Sequence, residues 1–349
     1  MNGNSMKKIA YANAVADDKV RRFVPPVRVV RESAGVSDSA ALLDGVHTQS
    51  FVHFNPRECV LPPGGEIILD FGLELHGLLT VTTGRMKLSR ARITFGESVS
   101  ETLGTPTQDH AIHQELLSLP QLGQVNFGQT AFRFVRLEIP ADAPEVRLIG
   151  VVATAIYRDW EYRGTFLSDD ERLNRIWEVG AYTVHLNCQD YIYDGVKRDR
   201  LVWVGDLHPE IMTVNSVFGY NEVVPRSLDL ARDTTPLPGW MNGISSYSLW
   251  WIIIHSDWYR YHGDRAYLAE QRPYLTALLR QIFGKIGPDG RERLDGTRFL
   301  DWPSSDDAAS TAAGLQSLTI LALDAGAGLC DALGDAVLAA ECRTKAALM

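Results

Sequence analysis

Hydrophobic residues follow two different periods along this chain of 349 residues, and the change between them limits the possible folds more than any other feature. From about residue 27 to residue 157, short runs rich in Val, Ile, Thr and Phe are separated by Gly, Pro, Asn and Asp, a pattern typical of strands and turns. Beyond about residue 165, Leu, Ile, Ala and Trp dominate at helical spacing. The chain is therefore predicted to be multidomain, with a β domain followed by an α-helical domain.

The β part contains several strand-like runs. They read EIILDFG, LLTVTTG, RARITFGES, FRFVRLEIP and VRLIGVVATAIY. Short strands at this spacing favour a β-sandwich, jelly-roll-like in character. Residues 99–124 show no clear period and are predicted to form a long loop between strands.

The helical part begins behind the acidic sequence SDDE. Leu173, Ile176, Trp177 and Gly180 recur at helical spacing after it. Ser168 is expected to cap this first helix, and the acids suit its positive end. YLAEQRPYLTALLRQIFGKI and GLQSLTILALDAGAGLCDALGD are also predicted helices. The length after residue 165 suits about three helix pairs.

Domain boundaries follow from this change of period. Residues 1–26 are predicted to form an N-terminal arm, residues 27–160 the β-sandwich domain and residues 161–349 the helical domain. The final residues, DAVLAAECRTKAALM, lie in the middle of an amphipathic helical pattern without Gly, Pro or a polar tail. We therefore expect only about the first half of the helical domain in this sequence.

Composition argues against several classes of partner. Lys and Arg total 34 against 43 Asp and Glu, a formal charge of -9, so neither nucleic acid nor an anionic membrane is an expected partner. The apolar run SLWWIIIHSDWY is much shorter than the about 20 residues of a membrane helix. No secretory signal is recognised, which predicts a cytoplasmic protein. The 4 cysteines lack metal-binding spacing and are expected to be reduced and buried.

One segment concentrates charge around an indole. DGVKRDRLVWVGD, residues 194–206, contains Asp194, Asp199, Asp206 and Trp203 together with three cations. A solvated surface loop with ion pairs is the ordinary explanation of such a run. Here apolar residues and a glycine follow directly, so the cluster is not wholly exposed. Because an indole stacks on a sugar ring while carboxylates bind its hydroxyl groups, the segment favours a carbohydrate site.

Other loops carry the same residue types. Trp240 lies on a Pro- and Gly-rich loop before a predicted helix, and Asp301 adjoins Trp302 on another loop. In helical toroids built of hairpins the loops at one end converge, so these residues are expected to line the same substrate pocket. His208 and Glu210 follow the charged segment closely and are candidates for residues that support the pocket from behind.

No other catalytic pattern competes with this one. The sequence contains no GxSxG, HExxH or Walker loop. The segment HAIH, residues 110–113, offers two metal-binding side chains, but a polar loop explains it better, and no metal site is predicted.

At residues 194–206 the chain resembles the bacterial α-L-rhamnosidases, which are inverting members of the six-hairpin glycosidase superfamily. The family pattern is Asp-Cys-Pro-x-Arg-Glu-Arg-Leu-Gly-Trp-x-Gly-Asp, and Asp, Arg, Arg, Leu, Trp, Gly and Asp match it in register. LDFGLELHGLLTV, ARITFGESVSE and FRFVRLEI are similar to the sandwich that precedes the rhamnosidase barrel, and GTFLSDDERLNRIWEVGAYTV is similar to its first helix. The fold implied is a β-sandwich followed by an (α/α)6 toroid.

The resemblance also implies roles for individual residues. Asp194 and Asp206 would hold rhamnose hydroxyl groups, Arg198 would contribute to the same subsite, and Asp199 would be the general acid. An inverting glycosidase needs a protonated acid at the leaving oxygen and a carboxylate base about 6.5–9.5 Å away across a water molecule. Asp199 suits the first role only if its pocket keeps it protonated near neutral pH. The mechanism requires no metal or organic cofactor.

The chain departs from the family at two points. The family has Glu where this chain has Asp199, and the missing methylene withdraws the carboxyl by about an ångström. The family's base is a Glu on a loop late in the barrel, beyond residue 349. Asp301 is the candidate base within the chain, and a substrate-binding or structural role suits it better. Half a toroid would leave apolar helix faces uncovered, so the isolated chain is expected to be poorly soluble or to form homo-oligomers.

Three functions are therefore considered. The leading hypothesis is an α-L-rhamnosidase that cleaves terminal rhamnose from glycans or glycosides by inversion. A carbohydrate-binding protein with weakened catalysis would keep the Trp and Asp residues but lack the acid-base pair. A six-hairpin hydrolase for another sugar, such as an unsaturated uronyl hydrolase, would need cationic contacts to an anionic ring, and Lys197, Arg198 and Arg200 are compatible with them. A Glu-bearing loop after residue 349 in the natural gene would distinguish the first from the second.

Overall fold

The computed structural model describes residues 18–45, 57–107 and 112–349, and within them a β domain precedes a helical domain. The strands are β1 (Lys19–Val24), β2 (Arg28–Glu32), β3 (Cys59–Leu61), β4 (Glu66–Thr83), β5 (Ser89–Gly96), β6 (His113–Leu119), β7 (Gln124–Glu138) and β8 (Val146–Arg158). The helices are α1 (Val99–Thr102), α2 (Glu171–Asn187), α3 (Val204–Thr213), α4 (Val223–Asp233), α5 (Ser245–His262), α6 (Arg265–Phe283), α7 (Ala308–Ala332) and α8 (Ala336–Leu348).

The strands form an antiparallel sheet in the order β1-β8-β4-β7-β5-β6, with β2 added on β4 and β3 on β8. Residues 67–70 of β4 pair with β2, whereas residues 77–83 pair with β8. The pairing of β4 with β7 is interrupted between Asp70 and Leu75. One buried cluster contains Ile67 from before this interruption and Val81 from after it. The two halves of β4 therefore serve one sandwich core.

Some predictions about the β part need correction. Residues 99–124, predicted as a loop, contain α1 and the strand β6. Most side chains of β6 are exposed or half-buried, so its sequence carries no hydrophobic alternation, and pairing with β5 defines it instead. The runs EIILDFG and LLTVTTG belong to the single strand β4. The sheet also begins before residue 27, because β1 pairs with β8.

The helical domain is built around a row of three helices. α3 packs on α5, α5 packs on α7, and α6 and α8 pack against this row. A hydrophobic core that includes the fully buried Trp251 and Trp258 fills the space between them. Asp170 caps α2 by accepting a hydrogen bond from the backbone N–H of Arg172 at 2.8 Å, whereas Ser168 was the predicted cap. The hydroxyl of Ser168 accepts a hydrogen bond from the N–H of Asp170 at 3.1 Å.

A buried network joins the last strand to the first long helix. The Nε of Arg158, a residue only 1% exposed, donates to the carbonyl oxygen of Gln189 at 3.0 Å. The carbonyl oxygen of Arg158 accepts a hydrogen bond from Nε2 of His185 at 2.6 Å. The Nδ1 of His185 accepts one from the Tyr162 hydroxyl at 3.1 Å. Burial lowers the pKa of His185, so its neutral ring supplies the one donor and one acceptor that these contacts need.

Helix α2 displays apolar surface. Leu173, Ile176 and Val179 on α2 are each about half exposed, at 47%, 58% and 47%. Among the described residues, α7 is the helix long and apolar enough to cross a membrane, but half of its apolar window is buried in the domain. Core helices meet the same criterion of length and composition.

The four cysteines are buried and free.

We expect the substitution Arg158→Met to lower the free energy of unfolding by about 3 kcal/mol, because it removes a buried cation and leaves the Gln189 carbonyl without its donor. Urea unfolding measures this loss. Arg22→Met is the control, since Arg22 is 67% exposed and lies 3.8 Å from its partner Asp159, and its effect should be close to zero. Equal effects of the two substitutions would contradict a structural role for the network.

Candidate active site

Two predicted site residues, Asp206 and Asp301, and one that was not predicted, Tyr247, lie at the N-terminal ends of the three helices in the row. Asp206 lies in the first turn of α3, and Tyr247 lies in the first turn of α5. Asp301 caps the short helix Trp302–Ser304 just before α7, and its Oδ1 accepts a hydrogen bond from the Trp302 N–H at 2.7 Å. Helix N-termini favour negative charge, so these carboxylates gather where the backbone is positive.

The first part of the motif closes into a tight loop between residues 194 and 201. The N–H of Asp194 donates to the carbonyl oxygen of Leu201 at 3.1 Å, and the N–H of Leu201 donates to Oδ1 of Asp194 at 3.0 Å. Asp199 and Arg200 both adopt left-handed backbone conformations, with φ of 55° and 57°. Such φ values are uncommon outside glycine, and aspartate tolerates them better than most residues. The loop therefore presents Asp199 at its exposed tip.

The sandwich holds this loop in place. Lys197 forms a buried ion pair with Glu101 of α1. The Nη1 of Arg200 donates to the carbonyl oxygen of Gln129 at 2.8 Å. Gln129 has a φ of 87° and is the unpaired residue of a bulge in β7, which turns its carbonyl away from the strand ladder. Val196 is buried between the domains. The position of the proposed acid thus depends on the β domain.

A glycine brings an aromatic ring against the motif. A Cβ on Gly205 would lie 2.3 Å from Cε1 of Tyr247, so no other residue fits there without moving the ring. The Trp203 ring meets the Tyr247 ring edge-on, with centroids 6.2 Å apart. Asn242 ties the same loop to the start of α5: its Oδ1 accepts from the Val204 N–H at 3.1 Å, and its Nδ2 donates to the Val202 carbonyl oxygen at 3.1 Å.

The carboxylates share one electrostatic environment. Burial raises the pKa of Asp206, and Asp194, Asp301 and Asp199 raise it further. Burial also raises the pKa of Asp194, with a further contribution from Asp199. Burial, followed by the charges of Asp206, Asp301 and Asp194, raises the pKa of Tyr247 to about 12. The negative charges of three loops therefore act on one another at this end of the helix row.

Glu210 lies beneath this cluster. Its Oε1 accepts a hydrogen bond from Nδ2 of Asn187 at 3.1 Å, and its Oε2 has no hydrogen-bond partner. Burial raises its pKa to about 8, with smaller contributions from Asp206 and Asp194. Glu210 is therefore protonated at neutral pH.

His208 points elsewhere. Its ring stacks on Trp250 with centroids 4.7 Å apart, and its Nε2 lies 3.2 Å from Oδ2 of Asp257 on α5. The residues that it contacts belong to the helix packing and not to the acidic cluster.

The other predicted residues differ in exposure. Trp302 is 79% exposed and available for stacking, and Asp199 and Arg198 are exposed at the loop tip. Trp240 is only 8% exposed, and its indole N–H donates to Oδ1 of Asp295 at 2.9 Å. Its assignment as a substrate-binding residue is therefore wrong, because its ring is part of the helical core.

Two residues of the site were missed. Asn242 precedes a glycine and has a φ of 53°. The Asn-Gly pair in the sequence indicates a turn, but it does not indicate that Asn242 contacts the motif. Tyr247 sits among polar and aromatic residues at the start of α5, where nothing local distinguishes it from a core residue.

No cluster of three or more His, Cys, Asp or Glu side chains suited to a metal ion occurs in residues 18–45, 57–107 and 112–349. Of the segment HAIH, His110 lies outside the described residues. His113 is on β6, where its ring packs against Phe95 and Phe127 at 5.3 and 5.2 Å.

Comparison with known proteins gives one family match. Residues 161–323 match the model of the bacterial alpha-L-rhamnosidase 6 hairpin glycosidase domain. That range contains the whole motif and the short helix at Asp301. No curated protein matches the chain significantly.

Solved structures share the fold. A rhamnosidase from Klebsiella oxytoca with rhamnose bound aligns with a TM-score of 0.74 and 21% identity over 95% of this chain and 69% of that one. A GH78 family rhamnosidase of Bacillus sp. GL1 gives 0.72 and 21% over 88% of this chain and 33% of that one. An α-L-rhamnosidase from Dictyoglumus thermophilum gives 0.70 and 17% over 94% and 36%. The chain spans about a third of the last two, and the fold is a β-sandwich followed by part of a six-hairpin helical toroid.

We expect Gly205→Ala to lower the free energy of unfolding by roughly 1–3 kcal/mol, because the added methyl group must displace the Tyr247 ring. Gly180→Ala is the matched control: it is also within a helix, and no atom lies within 4 Å of its added Cβ. That substitution should stabilise the protein by about 0.5–1 kcal/mol. Chemical denaturation compares the two, and a stabilising effect of Gly205→Ala would refute the close packing.

We expect Glu210 to make the protein less stable as the pH rises. Because its pKa is about 8 in the folded state and about 4.3 in unfolded chains, the folded state binds more protons between these values, and stability falls across this interval. Glu210→Gln should match the native protein near pH 4 and exceed its stability at pH 9. Urea unfolding across this range measures the difference. Glu161→Gln, which changes a side chain 78% exposed, is the control, and an unchanged slope in Glu210→Gln would contradict the assignment.

Proposed function

We propose that this chain carries the sugar subsite and the general acid of an α-L-rhamnosidase, because residues 161–323 match the model of the bacterial alpha-L-rhamnosidase 6 hairpin glycosidase domain. The observation that carries the proposal is the convergence of Asp194, Asp206 and Asp301 with Trp203 and Tyr247 at the ends of three helices. Together they offer hydrogen-bond acceptors beside aromatic rings. A neutral sugar with several hydroxyl groups suits such a surface.

Substrate binding uses two kinds of contact. The carboxylates of Asp194, Asp206 and Asp301 accept hydrogen bonds from the sugar hydroxyl groups, which are stronger when the acceptor is ionised. The exposed ring of Trp302 and the half-buried ring of Trp203 cover the apolar face of the sugar. A deoxysugar such as rhamnose also presents a methyl group, which an aromatic surface accommodates.

Bond cleavage follows the inverting scheme. Asp199 donates its proton to the glycosidic oxygen as the bond between that oxygen and the anomeric carbon breaks. A water molecule attacks the anomeric carbon from the opposite face and gives its proton to a carboxylate base. The leaving group departs as a neutral alcohol, and the sugar is released with inverted configuration. We propose that the base is supplied from outside residues 1–349 and that Asp301 binds substrate.

The decisive experiment follows release of p-nitrophenol from p-nitrophenyl α-L-rhamnoside by this chain and by the product of the full-length gene. Asp199→Asn should lower kcat by about 10²–10⁴-fold. Asparagine tolerates the left-handed backbone of residue 199 as aspartate does, so the loop should keep its shape. Asp142→Asn, on a side chain 77% exposed on the sandwich, is the matched control and should leave kcat unchanged.

Leaving-group dependence separates a proton donor from a structural residue. The loss caused by Asp199→Asn should be small for 2,4-dinitrophenyl rhamnoside, whose leaving group needs no proton, and large for an alkyl rhamnoside. The same loss for both substrates would contradict the role of Asp199.

Proton NMR of the first anomer released tests inversion. Binding without hydrolysis in the full-length product would indicate a carbohydrate-binding protein, and hydrolysis of an unsaturated uronide would indicate another six-hairpin enzyme.

A further inference from the structure

A cavity of about 620 Å³ lies at the junction of the two domains. Its walls come from the bend of β4, the end of β8, the linker that follows it and the second half of α2. This volume is within the range of sites for small ligands. None of the residues that line it belongs to the acidic cluster described above. The cavity therefore needs its own explanation.

Aromatic rings line much of this cavity, and hydrogen bonds fix the orientation of two of them. The hydroxyl of Tyr182 donates to the carbonyl oxygen of Glu74 at 2.5 Å, and the hydroxyl of Tyr162 donates to His185. Trp160 stacks on the His185 ring at 5.4 Å with an interplanar angle of 6°. Rigid rings of this kind form a surface for a flat ligand and lose little side-chain entropy when it binds.

His76 lies in the wall of the same cavity, and both of its ring nitrogens are buried. It is 3% exposed, lines the cavity, and neither of its ring nitrogens has a hydrogen-bond partner. The backbone of Ile156 lies beside the ring without completing a hydrogen bond. Buried polar groups are normally paired, so this imidazole is a strong sign of a missing partner.

The charge state of His76 limits what that partner is. Burial, followed by the positive charge of Arg200, lowers the pKa of His76 to about 4, so the ring is neutral and offers one donor and one acceptor. A hydroxyl group both donates and accepts and satisfies either nitrogen. A carboxylate only accepts and an ammonium only donates. The imidazole therefore suits a neutral, hydroxylated ligand.

A neighbouring cavity brings the junction close to the motif. This second cavity, of about 410 Å³, shares Leu73, Glu74, Tyr182 and Leu186 with the first and is also lined by Asp194 and Arg198. Burial and the neighbouring carboxyl of Glu97 raise the pKa of Glu74, which reduces the negative charge between the two cavities. A neutral chain of atoms can extend from the motif into the junction without meeting an isolated charge on Glu74.

We propose that the cleft at the domain junction binds a neutral sugar ring of the substrate's leaving group, next to the terminal sugar held at the motif. This inference rests on the proposed function, because it assigns the part of the substrate beyond the cleaved bond. The β domain then has two tasks: it anchors the acid loop, and it supplies a subsite through His76 and the bend of β4.

Binding of two probes tests the proposal directly. Isothermal titration calorimetry with the Asp199→Asn chain, which prevents turnover, compares L-rhamnose with a disaccharide of α-L-rhamnose on D-glucose. The disaccharide should bind at least tenfold more tightly than rhamnose. His76→Phe should abolish this advantage and leave the affinity for rhamnose unchanged. Since the replaced nitrogens are unpaired, this variant should fold with equal or greater stability.

A second variant guards against an effect on folding. Leu73 is 56% exposed and lines both cavities, so Leu73→Trp should obstruct the cleft without disturbing the core. Leu88→Trp, at a position 70% exposed elsewhere on the sandwich, is its control. Leu73→Trp should weaken disaccharide binding at least tenfold, and Leu88→Trp should not.

The outcomes separate the two proposals. Equal affinity for both sugars, or a disaccharide advantage that survives both His76→Phe and Leu73→Trp, overturns the junction subsite even if p-nitrophenyl rhamnoside is hydrolysed. A disaccharide advantage lost in both variants supports the subsite even if the full-length product hydrolyses no rhamnoside, in which case only the catalytic proposal fails.

Discussion

The buried contact between Arg158 and the residues after α2 is the constraint on which the rest of the structure depends. Arg158 ends the last strand of the sandwich. Its side chain donates to the carbonyl oxygen of Gln189, and its own carbonyl oxygen accepts a hydrogen bond from His185. A guanidinium that is 1% exposed is tolerated only where its donors are satisfied. The direction of α2 relative to the sheet is therefore defined at its C-terminal end, immediately before the motif begins.

The position of the loop at residues 194–201 follows from that junction. Once α2 is docked, Val196 is buried against the sheet, Lys197 reaches Glu101, and Arg200 reaches the carbonyl that the β7 bulge turns outward. These three contacts oppose the unfavourable left-handed conformations at the loop tip, which are stable only where surrounding contacts require them. The sandwich therefore positions the loop that carries Asp199.

The acidic cluster combines repulsion with local compensation. Neighbouring carboxylates raise the pKa of Asp206 and Asp194. These acids would separate if they were free to move, but Asp194 is held by a loop hydrogen bond, and Asp206 and Asp301 are held at helix starts. The positive ends of the helices offset part of the repulsion. Glu210 beneath them is protonated by burial, so it adds bulk and a donor without adding charge. The cluster therefore presents several hydrogen-bond acceptors at one end of the helix row.

Sequence pattern was sufficient for the features that depend on neighbouring residues. The change of hydrophobic period predicted a β domain before a helical domain, because alternation and helical spacing are local properties. The register of Asp194, Trp203 and Asp206 predicted a sugar site from neighbouring residues in the same way. The edge strand β6 escaped prediction, since its pairing with β5 and not its own alternation defines it.

What the sequence by itself determined was the order of the two domains and the grouping of acidic, basic and aromatic side chains in residues 194–206. Only the tertiary structure decided that Trp240 is buried against Asp295, that Tyr247 packs on Gly205, and that His76 lines a cavity without a partner. The contacts of Trp240 with Asp295 and of Gly205 with Tyr247 join residues that are dozens of positions apart, and the cavity beside His76 is lined by both domains. Burial and pairing depend on which distant surfaces meet, and no local pattern of side chains records that.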